Sequence, residues 1–387
     1  MNGPRVLVVA EQLRRAVPGG IGRSAVELLD SLSVIGGVDV TLWASRPPDR
    51  ETRARDPLAR WGWPVRTSPL PGPLLTRAWD LGLCPAPAGF DVVHSVSLAS
   101  PPLRAARPGR PGRGRGAARI PASMTVHDLS WRRVPAAATA RGRRWHEAAL
   151  QRALRSGAEL VVPSHQVACS LREAGAAPDA VAVVPWGADH LAEPDPQGAS
   201  TLLARLGVHG SFLLCVATLE PRKNLARVVD AYGRIRSALP EPWPLLVVGP
   251  AGWGGVADSL SSRPRAGVVL AGPVADPVLT ALYDRARVLA YLPLDEGFGL
   301  PALEALSRGL VCVASDAVPS VGAGAWESPV AVLADPWDAE AMGAALLSGA
   351  TDDALRARLV AHGRRLAAAR TWRATAERYL ELWRGLA

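Results

Sequence analysis

Residues 268–308 read VVLAGPVADPVLTALYDRARVLAYLPLDEGFGLPALEALSR. The segment opens on a β-branched run at 268–270 and breaks at Gly-Pro. Apolar residues then follow at helical spacing over 277–286. A second apolar run at 288–291 reads as a buried strand. After it, Pro301 suits the first turn of a helix over 300–308, where a missing N–H costs nothing. Strand, helix, strand, helix in one short stretch is the pattern of βαβ units on a parallel sheet.

The same alternation runs outward in both directions. Before it, strands are expected near 6–9, 38–43, 92–95, 124–127, 160–163 and 181–184, with helices near 21–34, 143–156 and 166–174. Pro185-Trp186-Gly187 begins a proline-rich connector that runs through Pro196. The pattern then restarts, with strands near 212–216, 245–248, 268–270, 288–291 and 311–314 and helices near 225–239, 277–286 and 300–308. Residues 371–384, with Trp372, Tyr379 and Trp383, read as a last amphipathic helix. No repeat at a solenoid period is present. The expected fold is α/β, two Rossmann-like doubly wound domains facing a central cleft. Residues 1–190 form the first domain and 191–370 the second, and 371–387 form a helix returning toward the first.

A chain of 387 residues is long enough for two cores. Hydrophobic content of 48% with 20% charge is that of a globular protein. Cys84, Cys169, Cys215 and Cys312 are far apart and beside apolar runs, so all four are expected as buried thiols rather than disulfides or metal ligands. No run reaches the ~18 apolar residues of a membrane span, and no signal-peptide layout precedes the first strand. A cytoplasmic protein is expected. The net charge of +9 lies in the first half, where residues 1–190 hold 25 arginines against 15 acidic residues. Six of those arginines fall between Arg104 and Arg119, without the aromatic residues that stack on bases. Nucleic acid is therefore not an expected partner. A solvated loop is one reading of that segment, and contact with an anionic membrane at its inner face is the other.

Three turns carry chemistry. Gly19-Gly20-Ile21-Gly22 follows the first strand and opens a helix, so Gly20 and Gly22 offer close backbone approach and free N–H groups to an anion. Arg222-Lys223 sits at the expected start of the helix after the first strand of the second domain. Lys223 is the single lysine among 44 basic residues. A guanidinium, an ammonium and a helix start can together neutralise a diphosphate. No paired carboxylate motif for Mg²⁺ is present, so no metal is expected. The third turn is Glu296-Gly297-Phe298-Gly299-Leu300, with Glu304 further along the helix. Glycines expose backbone donors there, and two carboxylates can each accept from vicinal hydroxyls of an extended ligand.

These residues resemble the E-x₇-E motif of the family-4 retaining glycosyltransferases, which have the two-domain GT-B fold. ATLEPRKNLARVVDAY is similar to the family's phosphate-binding segment, especially in its mannosyltransferase-like branch, and the likeness is continuous over 210–384. Toward the N-terminus it rests on GGIGR, on TVHDLSW at 125–131, and on VVPSHQVACSLREAG leading to VVPWGAD. The resemblance implies that Arg222 and Lys223 hold the donor diphosphate, Glu304 the ribose, Glu296 the transferred sugar, and the backbone of Gly297, Phe298, Gly299 and Leu300 the sugar and phosphate oxygens. His127 would sit beneath the sugar at a strand end, making His127 and Glu296 the catalytic pair. Ala217-Thr218 stands where many relatives have Gly-Arg, and Arg222 is expected to replace that arginine.

The implied activity is metal-independent hexosyl transfer with retention, with GDP-mannose as expected donor and a lipid-linked or glycan hydroxyl as acceptor. A UDP-sugar donor and a non-catalytic nucleotide-sugar-binding protein are the alternatives. A nicotinamide dehydrogenase would also use two Rossmann-like domains, but the GxGxxG spacing is absent.

Overall fold

The computed structural model describes residues 3–15, 19–47, 49, 51, 55–103, 120–262, 264–322 and 328–387. The arginines from Arg104 to Arg119 lie outside the described residues. The chain divides into two compact units. One holds residues 1–129, 140–187 and 372–387, and the other 130–139 and 188–371. The composition gives no sign that 130–139 belongs with the second unit.

In the first unit, seven parallel strands are ordered β3-β2-β1-β4-β5-β6-β7. They are β1 (Arg5–Val9), β2 (Asp39–Ala44), β3 (Val65–Thr67), β4 (Val92–Ser95), β5 (Ala122–Thr125), β6 (Glu159–Val162) and β7 (Val181–Val183). Helices α1 (Gly19–Ile35), α2 (Gly72–Asp80), α3 (Ala140–Ser156) and α4 (His165–Glu173) flank the sheet. Side chains alternate across a strand. Val6 and Val8 therefore pack with Leu28, Leu29 and Leu32 of α1, while Leu7 and Val9 pack on the opposite face with Trp43, Leu75 and Trp79. Ser164 starts α4 by accepting from Val167 N at 3.2 Å. Cys169 is exposed, contrary to expectation, because α4 turns Val167, Ala168 and Leu171 inward and places position 169 on the opposite side.

The second unit repeats the order as β10-β9-β8-β11-β12-β13, all parallel. Its strands are β8 (Leu213–Val216), β9 (Leu245–Val248), β10 (Val268–Gly272), β11 (Val288–Tyr291), β12 (Cys312–Ser315) and β13 (Val332–Ala334). Its helices are α5 (Pro196–Arg205), α6 (Leu225–Ile235), α7 (Val256–Ser262), α8 (Asp276–Arg285), α9 (Leu300–Ser307), α10 (Ala339–Thr351) and α11 (Asp353–Ala368). Pro196 is thus the opening of α5 and not only the end of a connector. Asp195 caps that helix by accepting from Gly198 N at 2.8 Å. Leu225, Val228, Val229, Tyr232 and Ile235 of α6 form an i, i+3, i+4 stripe on the core.

The last helix, α12 (Trp372–Leu386), belongs to the first unit. Trp372, Thr375, Ala376, Tyr379, Leu380 and Trp383 recur on one buried face. Trp383 Nε1 donates to Ser123 Oγ at 3.0 Å, and Thr375 Oγ1 donates to the Pro185 carbonyl at 2.8 Å. Among the described residues no helix is long and apolar enough to cross a membrane.

Candidate functional site

In both sheets the strand order reverses beside the first strand, between β1 and β4 and between β8 and β11. Loops leaving the strands at such a switch point diverge and leave a crevice where ligands bind. In the second unit those loops are 217–224 and 292–299. Gly249, just after β9, has φ +145°, and a Cβ there would lie 2.0 Å from the Ala217 carbonyl oxygen. Only glycine lets the backbones meet that closely.

Arg222 and Lys223 do not start α6, as the spacing predicts. Pro221–Lys223 form a 3-10 turn, and Asn224 at φ 61° separates it from the helix at Leu225. Asparagine tolerates this left-handed conformation better than most residues. The Asn224 amide donates to the carbonyls of Leu292 and Pro336 at 3.1 and 2.7 Å, and Leu294 N donates to the Arg222 carbonyl at 2.9 Å. These bonds stitch the two loops together, so residues 73 apart in sequence meet.

They meet on Glu296. Lys223 Nζ donates to Glu296 Oε2 at 2.5 Å and to Tyr291 Oη at 3.1 Å, and Tyr291 Oη donates to the same carboxylate oxygen at 2.7 Å. Arg222 approaches Glu296 Oε1 at 3.1 Å and also binds Glu220 at 2.9 Å and the Asp295 carbonyl at 3.0 Å. Burial opposes ionisation of Glu296, but the Arg222 and Lys223 charges and the Lys223 and Tyr291 hydrogen bonds outweigh it. They hold its carboxyl far below the usual carboxylate range. Burial, with Glu296 alongside, pushes the Tyr291 phenol well above its ordinary value. Trp253 Nε1 donates to Glu220 at 3.1 Å, placing a partly exposed indole beside the cations. Asp295 is buried; its Oδ2 accepts from Ser130 Oγ at 2.7 Å, and its Oδ1 is ion-paired with Arg133 Nε at 2.7 Å.

The loop to α9 is fixed by its glycine. Gly299 has φ +99°, and a Cβ there would lie 2.4 Å from Val318 Cγ1. Ser320 N donates to the Phe298 carbonyl at 2.9 Å, and Ser320 Oγ donates to the Gly299 carbonyl at 3.0 Å. Phe298 and Leu300 have buried side chains, so their contribution to a ligand is confined to the backbone. Glu304, one turn into α9, is 3% exposed. His190 Nε2 lies 2.9 Å from its Oε1, and Tyr283 Oη donates to Oε2 at 2.7 Å. Sequence reasoning singled out neither His190, Tyr283 nor Tyr291. Only the placement of His190 directly after WGAD hinted at a role.

Gly20, Gly22 and His127 belong to the first unit and are described within it. Gly20 and Gly22 lie in the first turn of α1, but a 3-10 turn at Glu11–Arg14 intervenes between β1 and that helix. β5 ends at Thr125, so His127 lies two residues past the strand rather than in it. His127 Nε2 donates to the Val96 carbonyl at 2.7 Å, and its buried Nδ1 has no partner. With Nε2 donating to a carbonyl, the neutral ring leaves Nδ1 as an acceptor. Burial holds its pKa below the ordinary value, with the Val96 bond and Asp128 pulling the other way. A cavity of about 10 Å³, space for about one water, is lined by His94, Thr125, His127, Trp186, Trp372 and Tyr379. His94 is fully buried between Ser123 Oγ at 2.9 Å and Thr125 Oγ1 at 3.4 Å, and burial lowers its pKa to about 3. Thr125 in turn meets Tyr379 Oη at 2.9 Å.

Among the described residues no group of three or more His, Cys, Asp and Glu side chains is arranged to hold a metal ion. The second unit's site is a pair of cations around one carboxylate, with a second carboxylate on the adjoining helix. It suits an anion joined to a hydroxyl-bearing group.

Comparison with known proteins points the same way. Residues 18–190 match the model of Glycosyltransferase Family 4, and residues 208–366 match that of Glycosyl transferases group 1. O-antigen chain mannosyltransferase B of Escherichia coli is 36% identical over 157 residues, covering 39% of this chain and 40% of that protein. Serotype-specific mannosyltransferase WbdA of Escherichia coli is 27% identical over 220 residues, 56% of this chain and 25% of that protein. D-inositol 3-phosphate glycosyltransferase of Kineococcus radiotolerans is 34% identical over 231 residues, 54% of this chain and 53% of that protein. The chain thus spans about a quarter to about half the length of these relatives.

Among solved structures, sucrose-phosphate synthase from Thermosynechococcus elongatus aligns with TM-score 0.71 and 20% identity, covering 99% of both chains. Anabaena Alr3699/HepE in complex with UDP and glucose aligns with TM-score 0.67 and 17% identity, covering 98% of this chain and 99% of that one. At these identities the likeness establishes the fold, two parallel-sheet Rossmann-like domains of the GT-B kind.

Proposed function

We propose that this chain, which belongs to glycosyltransferase family 4, transfers a hexosyl group, with retention, from a nucleoside-diphosphate sugar to an acceptor hydroxyl. The donor is GDP-mannose; the names of the Escherichia coli mannosyltransferases support the mannosyl group. The observation that carries the reading is the convergence of Arg222 and Lys223 on Glu296 at the switch point of the second sheet. Two cations gather around one anion there.

In this reading Glu296 is the resident counterion. On donor binding, Lys223 and Arg222 take up the diphosphate, and Glu296 turns to the hydroxyls of the transferred sugar. As the bond from the anomeric carbon to the phosphate oxygen breaks, charge grows on the departing diphosphate. Lys223 and Arg222 stabilise that charge, so no divalent metal is required. The acceptor oxygen bonds to the anomeric carbon, and its proton passes to the leaving diphosphate. Glu304 accepts from the ribose hydroxyls. His127 accepts from a sugar hydroxyl through Nδ1. The acceptor is a hydroxyl of a lipid-linked or glycan intermediate. The arginines between Arg104 and Arg119 give peripheral contact with an anionic membrane.

The test is to incubate the purified protein in EDTA with GDP-mannose, UDP-glucose and related nucleotide sugars and to follow nucleotide release. GDP release from GDP-mannose is the expected result. Release only from UDP-sugars would replace the donor. Tight binding without hydrolysis or transfer would indicate a binding protein instead.

A further inference from the structure

Glu304 is gripped from two sides by elements that the donor reading leaves without a role. His190 lies in the connector between β7 and α5, and its side chain is fully buried with Nε2 2.9 Å from Glu304 Oε1. A carboxylate accepts only, so Nε2 is the donor, and the ring carries its proton there. Tyr283 of α8 donates to the other oxygen at 2.7 Å.

Both donors are themselves fixed. Asp195 N donates to the Pro277 carbonyl at 2.9 Å, tying the connector to the head of α8. Arg285 reaches Ser200 Oγ at 2.8 Å, tying the far end of α8 to α5. Ala188 N donates to the Arg370 carbonyl at 2.9 Å, two residues before His190. Two separate elements, the connector and α8, therefore converge on one carboxylate that is almost wholly shielded from water. The terminal torsion of glutamate is soft and roughly two-fold. One donor on each oxygen removes that freedom.

We propose that His190 is a positioning residue, which together with Tyr283 fixes the Glu304 carboxylate in the orientation that receives both vicinal hydroxyls of the donor ribose. The inference rests on the donor-site reading above and adds the residue that makes the site selective for a ribonucleotide. Without His190 the carboxylate rotates, and the two hydroxyl contacts no longer form together.

Titration calorimetry with GDP and UDP, each beside its 2′,3′-dideoxy analogue, tests this on wild type, His190→Ala and His190→Gln. Wild type prefers the ribonucleotide by ~10–100-fold, the effect of hydrogen bonds to a charged group. His190→Ala cuts that preference to within about threefold while affinity for the dideoxy analogue stays unchanged. His190→Gln, which keeps an N–H donor, restores part of the preference. A wild-type preference in His190→Ala overturns the inference. So does an equal loss for both analogues, because a merely structural histidine would weaken both. If wild type itself does not distinguish the two, the ribose assignment of Glu304 fails, and the inference falls with it.

Discussion

The two sheets share a strand order, yet their switch points are built from opposite chemistry. Beyond β8 and β11 stand Arg222, Lys223 and Glu296 in contact, with the Glu296 carboxyl held far below the usual carboxylate range. Around β4 and β5 stand His94, Ser123, Thr125, His127, Tyr379 and Trp383, a buried network of neutral groups. Burial holds both histidines below their ordinary pKa. Topology makes a switch point in each case, and side chains decide its chemistry. Full charges favour a diphosphate, whereas neutral acceptors and donors favour uncharged hydroxyls.

The sharpest way to break the contrast is to remove the charge that joins the second site. Glu296→Ala should lower kcat on the order of 100-fold, since contacts to the reacting sugar tighten as charge develops there. Glu304→Ala should chiefly raise the donor KM. Steady-state kinetics on both variants checks the division, and identical effects confined to KM would contradict it.

Lys223→Ala should weaken GDP binding ~10–100-fold, the range for a charge-assisted bond. Unchanged affinity by calorimetry would remove the ammonium from the donor site.

The neutral site makes a different prediction, read in stability. His94 has a folded pKa of about 3, below its unfolded value of ~6.5. The unfolded chain therefore binds a proton that the native protein refuses as pH falls between those values. Stability is full above the unfolded pKa and declines toward acid, by up to ~1.4 kcal/mol per pH unit for one such proton. His94→Gln should flatten the change in urea midpoint between pH 7 and pH 5. A slope identical to wild type would mean that His94 is not excluded from protonation. Glu296, depressed instead of neutral, contributes in the same direction at lower pH, where falling pH finally protonates it.

Lys223→Arg should have the smallest effect, a loss of about threefold to tenfold in GDP affinity. Charge is retained, but a planar fork replaces a compact ammonium that also bonds Tyr291. Full wild-type affinity would show that only net charge counts.

Much of this contrast was legible in the sequence, and the illegible part has physical causes. β-Branched runs located β1, β4, β9 and β11 closely because buried parallel strands are apolar on both faces. β3 and β13 are three-residue edge strands, too short to show a period. Helix α10 reads AEAMGAALLSGAT, with too little polar contrast to reveal a face. Arg222, Lys223, Glu296 and Glu304 stood out as residue types in glycine and proline turns. Their partnership did not, because Asn224 and the β8–β11 pairing bring together loops far apart in sequence. His190 and Tyr283 left almost no mark, since one histidine in a connector and one tyrosine in a helix look like ordinary packing.

The central claim is that the charged switch point of the second unit holds a diphosphate joined to a nucleoside. Titration calorimetry of GDP against guanosine, on the wild-type protein in EDTA, reads that claim without requiring an acceptor. GDP should bind at least ~10-fold more tightly than guanosine, and the advantage should shrink as salt is raised. Equal affinity for the two, or a GDP advantage that appears only when Mg²⁺ is supplied, would contradict it.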